Sequence, residues 1–413
     1  MQTILTLQVD NFLSFRKSEV TLAPLNILVG PNGAGKTNFL KIFQFLGDVA
    51  RLDLIPAIDS FGGISELRFR GTGGTRDIRI KLTGQMTEHA SERAPDEYEL
   101  SFYDRSLRLP ARAPTGAPSG VDSRRLVGRA ETIIVKRTAG RGRRIRLTGR
   151  TAEFAPLRTN QESLRVSVQE ASAGLNTLRK LGNEYDAPQV EALAQVFENL
   201  RLFEVNVESI RQPSRVTSPS RLAPDGSNVA HFLLWLSMNH QAAFERLCDD
   251  MRYVLPGFEA FKFVPIGGSG EAMRLDLKER HLDGPTSLAR ASFGTIRAIA
   301  IFAMLHDPNP PRLTCLEEID HGFHPHALDR VVERLREASV RTQIIVATHS
   351  PALVNRVHPR ELIIFERDPD NGATRIVVID PDQAQKMEEE SGYRLGELWF
   401  SGIIGGGLGQ EDQ

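Results

Sequence analysis

One glycine-rich stretch carries the residue types needed to hold a chain of phosphates. It fits the pattern G-x-x-x-x-G-K-[ST] at every fixed position and reads Gly30-Pro31-Asn32-Gly33-Ala34-Gly35-Lys36-Thr37. The glycines let backbone N–H groups crowd round the phosphates, Lys36 reaches the outer ones, and the Thr37 hydroxyl ligates Mg²⁺. The stretch therefore predicts a phosphate loop that also takes Mg²⁺.

Two adjacent acids follow a second apolar run of strand length. Glu317 and Glu318 come directly after Leu313–Leu316, and ligands of open α/β sheets bind beyond the carboxyl ends of the strands. Glu317 would hold Mg²⁺ through water, and Glu318 would polarise the attacking water. The alternative is the cap of a surface helix.

A histidine closes a third run of this kind. Thr348-His349-Ser350-Pro351 follows Gln343–Ala347. At the same edge of the sheet, His349 would lie near the γ-phosphate and sense it. A purely structural histidine is the alternative.

The hydrophobic pattern indicates the elements that position these groups. Leu25–Val29 is a strand-length run before the loop, and Asn38–Leu46 has helical spacing after it, so the loop meets a helix N-terminus that favours anions. The strand–helix–strand order over 313–347 indicates parallel pairing. Alternation of apolar and polar residues predicts antiparallel strands with one solvent-exposed face. These strands are Glu66–Arg70, Asp77–Leu82 and Glu97–Tyr103.

These patterns predict an α/β fold with a mixed parallel core sheet and four parts. The C-terminal lobe would open with a helix over Leu288–Leu305. The parts are an N-terminal lobe with an antiparallel β-subdomain at 1–155, a mainly helical lobe at 156–287, a C-terminal lobe at 288–400 and a flexible tail at 401–413.

Composition narrows the function classes. The 413 residues carry a net charge of −1, which excludes a uniformly basic nucleic-acid binder. No apolar run reaches the roughly 18 residues of a membrane span, and the N-terminus begins as a strand, without a signal sequence. Cys248 and Cys315 lie far apart among apolar residues, so we expect buried free thiols in a reducing cytoplasm.

Residues 105–150 are rich in arginine and poor in acids. Their strands would be Glu131–Lys136 and Arg144–Thr148, joined as a hairpin. One interpretation is a surface that contacts DNA phosphates through clustered arginines. These are Arg141, Arg143, Arg144 and Arg146. The other interpretation is a solvated hairpin, or one paired to acids elsewhere.

Several motifs occur in a fixed order along nearly the whole chain. They are Asn11–Phe15, Gly30–Thr37 with Asn38, Ser292-Phe293-Gly294-Thr295-Ile296-Arg297, Glu317-Glu318 followed by Asp320–Pro325, Thr348–Pro351 and Tyr393–Gly402. Together they resemble an ABC-type ATPase head of the RecF/SMC-like branch, a P-loop NTPase. The compact bacterial RecF-like predicted ATPases, among the AAA-type ATP-binding proteins, are most similar.

The resemblance implies an ATPase that uses ATP and Mg²⁺ and closes as a head-to-tail homodimer. Ser292 and Gly294 would contact the γ-phosphate bound by the partner, and Asp320 would lie in the loop crossing the dimer seam. Lys36, Glu318 and the switch histidine His349 would act in hydrolysis, with Thr37 and Glu317 at the metal. The nucleotide-binding residues would be Asn32, Gly33, Ala34, Gly35, Lys36, Thr37 and Asn38.

Two residues depart from the family pattern. Phe293 stands where a small or polar residue is more usual, and Glu317 stands where many ABC ATPases carry Asp. For the glutamine of the Q-loop, Gln85 is a weak candidate.

The sequence leaves several functions open. The first is a DNA-linked ATPase in DNA repair or genome maintenance, by analogy with RecF. The second is a regulatory ATPase that gates a separate effector protein in a phage-defence or toxin-like operon. A transporter subunit is disfavoured by the motif variants. A nuclease within the chain is disfavoured because the acids after Ser350 lack a following sheet.

Overall fold

The computed structural model describes residues 3–106, 125–137, 142–156, 162–179, 187–215, 221–267 and 272–405. Parts of the basic insert, including Arg141, and most of the predicted tail lie outside these ranges.

The described strands and helices follow one another as a mixture of both types. The strands are β1 (Ile4–Phe12), β2 (Phe15–Thr21), β3 (Leu25–Val29), β4 (Ile78–Gly84), β5 (Asp96–Ser106), β6 (Arg125–Val135), β7 (Arg143–Thr148), β8 (Thr151–Phe154), β9 (Leu164–Ser167), β10 (Leu200–Phe203), β11 (Ser214–Arg215), β12 (Phe258–Ile266), β13 (Ala272–Glu279), β14 (Thr286–Ser287), β15 (Leu313–Glu317), β16 (Gln343–Ala347), β17 (Leu362–Arg367) and β18 (Thr374–Val378). The helices are α1 (Lys36–Leu52), α2 (Leu54–Ser60), α3 (Ile64–Leu67), α4 (Gly174–Thr177), α5 (Gln189–Glu198), α6 (Val207–Arg211), α7 (Val229–Asn239), α8 (Gln241–Val254), α9 (Phe293–Leu305), α10 (Pro325–Ser339), α11 (Pro351–Val354), α12 (Pro381–Ser391) and α13 (Leu395–Phe400).

The core sheet has the order β10-β15-β16-β3-β17-β18 and is parallel except for β18. Both of its faces are covered. Along β3, Leu28 faces a core shared with α1, whereas Ile27 and Val29 face a core formed with α9 and α10. Burial on both faces explains why β3, β15 and β16 read as continuous apolar runs. The predicted α/β fold with a mixed core sheet is confirmed.

A second sheet is antiparallel throughout, with the order β2-β1-β4-β5-β6-β7-β8-β9. Successive side chains of a strand point to opposite faces. Along β7, Ile145 and Leu147 are buried while Arg144 and Arg146 are exposed. The buried face shares its apolar core with α1 and α5. The predicted antiparallel β-subdomain is therefore present.

The region predicted as a mainly helical lobe is mixed. Helices α7 and α8 pack beside a small sheet of order β11-β13-β12, with β14 paired to β13. β9 extends the antiparallel sheet beyond residue 155, and β10 adds an edge strand to the core sheet. The two large sheets thus extend across the predicted boundaries at 155 and 287, because each includes a short strand from the middle of the chain.

A buried carboxylate ties three helices together behind the core sheet. Asp250 of α8 lies 2.5 Å from His306 Nε2 and accepts a 2.8 Å bond from Arg334 Nε of α10. Burial alone would raise the pKa of Asp250, but the bonds from His306 and Arg334 outweigh it and the pKa is lowered. The cluster fixes the carboxyl end of α9, whose other end enters the candidate site.

Two local predictions are wrong. Residues 66–70 do not form a strand: α3 occupies Ile64–Leu67, preceded by two glycines with positive φ, Gly62 (85°) and Gly63 (100°). The helix predicted over Leu288–Leu305 is interrupted, because Ser292 has extended backbone and caps α9, accepting a hydrogen bond from Thr295 N. That interruption creates a helix N-terminus.

Cys248 and Cys315 are free and buried, as predicted. Within the described ranges, no helix combines the length and apolarity that a membrane crossing requires.

Candidate nucleotide site

The candidate site lies at the carboxyl edge of the core sheet. The register places Glu317 beside Ala347 and Ala347 beside Leu28, so β15, β16 and β3 end at the same level. Because the three strands are parallel, the residues that follow them meet at one edge. The sequence predicted this convergence from three separate apolar runs.

The phosphate loop needs glycine at two positions for reasons of space. A Cβ on Gly30 would lie 2.3 Å from the Phe365 carbonyl oxygen, and one on Gly35 would lie 2.1 Å from Thr374 Oγ1. Both residues also have positive φ, 152° and 111°. The loop is a cradle that side chains would fill, which suits close approach of phosphates to its backbone N–H groups. Ala34 is buried, whereas Asn32, Gly33 and Thr37 are exposed.

Two distant segments brace this loop. Thr374 of β18 donates its hydroxyl proton to Ala34 O at 2.8 Å, and its oxygen lies at hydrogen-bond distance, also 2.8 Å, from Ser14 Oγ. Asn38 Nδ2 donates to the same Ser14 Oγ at 2.9 Å. Asn38 therefore holds the β1–β2 turn against the loop. This contact gives the Asn11–Phe15 motif a role that its sequence did not reveal.

Lys36 is 6% exposed and points back over the loop. Its Nζ donates to Gly30 O at 2.7 Å and to Pro31 O at 3.1 Å. Burial lowers the pKa of Lys36 to about 8, against the opposing charges of Glu317 and Glu318. The ammonium group thus lies within the field of both acids.

The oxygen ligands that the site offers suit a magnesium ion. Glu317 Oε1 is buried without a hydrogen-bond partner, an arrangement that is costly unless a cation or water completes it. Thr37 offers a hydroxyl at the start of α1. In the part of the chain that the structure describes, no group of three or more His, Cys, Asp or Glu residues could hold a metal by itself. Mg²⁺ commonly takes one or two protein ligands and completes its shell with phosphates and water.

Glu318 has a strained backbone and an accessible carboxylate. Its φ is +49°, which is uncommon for a residue other than glycine. Its N–H donates to Ala347 O at 2.8 Å. Its side chain is 63% exposed, with Oε2 3.7 Å from His321 Nδ1. A carboxylate held in this way at the edge of a sheet can polarise a water molecule.

Asp320 and His349 lie at the same edge. Asp320 Oδ1 accepts a 2.5 Å bond from Thr348 Oγ1, which links the loop after β15 to the end of β16. His349 is exposed. Its pKa is lowered by partial desolvation of the ring and by Lys36, while Glu318 and Asp320 act in the opposite direction. His349 follows β16 at the edge of the sheet where Glu318 and Asp320 follow β15.

The motif Ser292–Arg297, called the signature segment below, forms the N-terminus of α9, a helix of 13 residues. Ser292 is exposed, and its hydroxyl oxygen accepts a 3.1 Å bond from Thr295 N. A Cβ on Gly294 would lie 2.2 Å from the Gly322 carbonyl oxygen, so the segment packs backbone to backbone against the loop after Asp320. Phe293 is 41% exposed, with its ring 5.2 Å from that of His321.

Sequence reasoning missed two groups beside the site. Arg297 is buried and donates from Nη2 to the Glu318 carbonyl oxygen at 2.5 Å. The end of β10 brings Glu204 to the same edge, where it lines a cavity of about 830 Å³ with Gln44 and Arg297. Gln85 lies elsewhere, just after β4 in the antiparallel sheet, so its place in the fold does not match a group at this edge.

The arginines proposed to contact DNA separate in the structure. Arg144 and Arg146 are exposed. Arg143 is buried, its Nη1 donates to Ala155 O at 2.7 Å, and its guanidinium lies 5.3 Å from the Phe154 ring centroid. The prediction for Arg143 is wrong because alternate residues of β7 face the interior. Arg141 lies outside the described residues.

Comparisons with known proteins agree with this fold. The family model described as "AAA domain, putative AbiEii toxin, Type IV TA system" matches residues 25–355. Among solved structures, an Smc head bound to the C-winged helix domain of ScpA has a TM-score of 0.54 at 13% identity, covering 93% of this chain and 99% of that one. A Pyrococcus furiosus Smc head domain with an extended coiled coil, bound to the C-terminal domain of ScpA, gives 0.53 at 13% identity, covering 95% and 100%. Curated protein sequences gave no match.

Proposed function

The chain belongs to the family described as "AAA domain, putative AbiEii toxin, Type IV TA system", and from that premise we propose that it is an ATP-hydrolysing switch that closes as a head-to-tail homodimer. The observation that carries this proposal is the convergence of Lys36, Glu317, Glu318 and His349 at one sheet edge, beside the capped N-terminus of α9. The four side chains suit hydrolysis, and the helix N-terminus suits capture of a phosphate bound by the partner.

Each residue has a task that its surroundings support. The loop N–H groups and Lys36 bind the phosphates of ATP, and Thr37 with Glu317 holds Mg²⁺, which neutralises phosphate charge. Glu318 orients the attacking water, and His349 contacts the γ-phosphate edge. Ser292 and Gly294 cap ATP bound by the partner, and Asp320 lies at the seam.

The exposed groups around the site support a partner at this surface. Phe293 is 41% exposed, and the side chains of Glu318 and His321 are 63% and 64% exposed. A large aromatic side chain beside accessible catalytic groups is typical of a surface that another molecule covers. A second copy of this chain would supply Ser292 at that place.

We favour control of a separate effector protein as the use of this cycle. The family description, with its toxin and toxin–antitoxin terms, supports that choice. DNA-linked repair or genome maintenance is the second candidate, favoured by the exposed Arg144 and Arg146. The buried Arg143 weakens that candidate.

Glu318→Gln tests the switch. Well below the Lys36 pKa of about 8, the variant should bind ATP with unchanged affinity, hydrolyse it at least about 100-fold more slowly, and accumulate as an ATP-dependent dimer in size-exclusion chromatography. Glu389→Gln, on an exposed position of α12, is the matched control and should behave as wild type. Hydrolysis at the wild-type rate by Glu318→Gln, or a monomer at saturating MgATP, would contradict the proposal.

The ATPase rate with and without DNA separates the two uses of the cycle. At two salt concentrations, effector control predicts a rate indifferent to single- and double-stranded DNA. Salt-sensitive stimulation by DNA would instead favour the repair-type function.

A further inference from the structure

The signature segment and the candidate catalytic glutamate of one subunit are joined by a buried arginine. Arg297 is the fifth residue of α9 and is 7% exposed. Its Nη2 donates to the main-chain oxygen of Glu318 at 2.5 Å. Its guanidinium carbon lies 5.6 Å from the centroid of the Phe293 ring, a cation–π distance. The guanidinium group of Arg297 therefore contacts both the Phe293 side chain of the signature segment and the main chain of Glu318.

The contact falls on a residue whose backbone needs support. Glu318 has a φ of +49°, a strained conformation for a residue other than glycine that persists only when its surroundings impose it. The Glu318 N–H is held by Ala347 O of β16, and the carbonyl accepts from Arg297 of α9 and, at 3.0 Å, from His321 N. The bond from His321 is local to the turn, whereas the bond from Arg297 ties the peptide group to α9, and together these bonds set the direction of the carboxylate.

A second contact follows the same route. The Phe293 ring lies 5.2 Å from the His321 ring, and His321 Nδ1 lies 3.7 Å from Glu318 Oε2. Phe293 thus contacts Arg297, which binds the Glu318 backbone, and His321, which lies beside the Glu318 carboxylate. The aromatic side chain that departs from the family pattern therefore supports both Arg297 and His321.

We propose that Arg297 is a positioning residue for Glu318 of its own subunit, so that the segment capping the partner's ATP also sets the hydrolytic carboxylate of its own site. This inference rests on the proposed head-to-tail dimer and on Glu318 as the water-orienting group. Arg297 itself does not need to touch ATP.

The first test separates binding from turnover. Arg297→Met keeps much of the side-chain stem but loses the bond to Glu318 O. We expect kcat to fall about 100-fold, as for an approximately 1 Å misplacement of a catalytic group, with the Kd for ATP within about twofold of wild type. Arg290→Met is the matched control, because Arg290 is exposed seven positions earlier, and its kcat should not change. A wild-type kcat for Arg297→Met would overturn the inference.

Mixed dimers then show in which subunit Arg297 acts. Each site of a head-to-tail dimer takes Lys36 and Glu318 from one subunit and Ser292 from the other. Mixing Arg297→Met with Ser292→Arg puts both defects in the same site if Arg297 acts in its own subunit. The other site is then intact, and activity should recover to about a quarter of wild type, because about half the dimers are mixed.

A second mixture must give the opposite result. With Lys36→Ala as the partner, the two defects of the mixed dimer fall in different sites, and activity should not recover. Recovery with Lys36→Ala but not with Ser292→Arg would show that Arg297 serves the partner's site, which overturns the inference. Failure to recover with both partners would overturn it as well, because Arg297 would then be needed at both sites.

Two safeguards keep these outcomes separate from folding and from the proposed function. If Arg297→Met does not accumulate as folded protein, Arg297→Lys replaces it, since lysine keeps the charge but not the planar fork. If Glu318→Gln traps the dimer while Arg297→Met turns over normally, the inference fails alone. If Glu318→Gln hydrolyses normally, the proposed function fails first.

Discussion

The two large sheets of this molecule distribute their charged residues in opposite ways. At the carboxyl edge of the core sheet, Lys36, Glu318 and His349 come from three strand ends that are far apart in sequence. Glu318 opposes the lowering of the pKa of Lys36 and of His349, and Lys36 contributes to the lowering at His349. In the antiparallel sheet, Arg143 and Arg144 are adjacent in sequence, but one is buried and the other exposed. Strand ends gather distant charges, whereas a strand separates neighbouring ones.

The outer face of the antiparallel sheet also pairs most of its charges. The cross-strand register forms a row in which basic and acidic residues largely alternate. The row is Lys81, Glu99, Thr132, Arg146, Glu153 and Arg165. Arg165 Nη2 lies 3.4 Å from Glu153 Oε1. Opposite charges across strands stabilise a sheet modestly and leave little net field for a polyanion.

The inner face of the same sheet buries two further arginines. Arg129 is 1% exposed, donates to Gly149 O at 3.2 Å and lies 3.7 Å from the Glu131 carboxylate. Arg143 is held by Ala155 O and the Phe154 ring. These arginines stabilise the fold. A count of arginines along 105–150 therefore overstates the basic surface of the described residues.

The largest expected effect in this comparison is on stability. Arg143→Ala removes a buried stem and leaves the Ala155 carbonyl without its guanidinium donor, so the free energy of unfolding should fall by about 2 kcal/mol. Arg146→Ala, three positions along the same strand but exposed, should change it by less than about 0.5 kcal/mol. Urea denaturation of both variants measures the difference. Equal effects from the two would show that the faces of β7 are not distinct.

Sequence predicted the phosphate-binding edge well because its signals are local. A strand, a glycine loop and a helix lie within residues 25–46, and each acid or histidine directly follows its own strand. The antiparallel face was less predictable because the side that each arginine takes depends on register. The clustering of arginines along the chain does not reveal that register.

Tertiary contacts decided the elements that the sequence left out. β10 is only four residues long, and its parallel partner β15 lies more than a hundred residues later. The bond from Arg297 to the Glu318 carbonyl likewise depends on how α9 packs against the core sheet. Serine is a typical capping residue, but the apolar pattern over Leu288–Leu305 predicted one uninterrupted helix across Ser292.

The second expected effect is the pH dependence of ATP hydrolysis, which involves the charges of the core-sheet edge. Burial lowers the pKa of Lys36 to about 8, so the free enzyme loses this positive charge as pH rises through that value. We expect kcat/KM for ATP to fall about tenfold per pH unit above 8. His349 does not account for such a fall, because its pKa is lowered from its ordinary value and it titrates on the acid side.

A variant assigns this titration to Lys36. Glu318 opposes the lowering of the Lys36 pKa, so in Glu318→Gln the fall in ATP affinity should begin at a lower pH than in wild type. ATP binding, rather than turnover, is the readout for that variant. An unshifted or higher midpoint would mean that Lys36 is not the titrating group.

The smallest expected effect concerns the exposed arginines of β7. Each phosphate contact contributes about 0.9 to the slope of log K against log salt for duplex DNA. If the outer face does not bind DNA, Arg144→Ser combined with Arg146→Ser should leave that slope within about 0.5 of wild type. A slope reduced by about 2 would mean that both arginines contact phosphates and that the repair-type function has regained support. The measurement separates the two uses of the ATP cycle because the substituted residues lie away from the nucleotide edge, so ATP hydrolysis without DNA should be unchanged in either case.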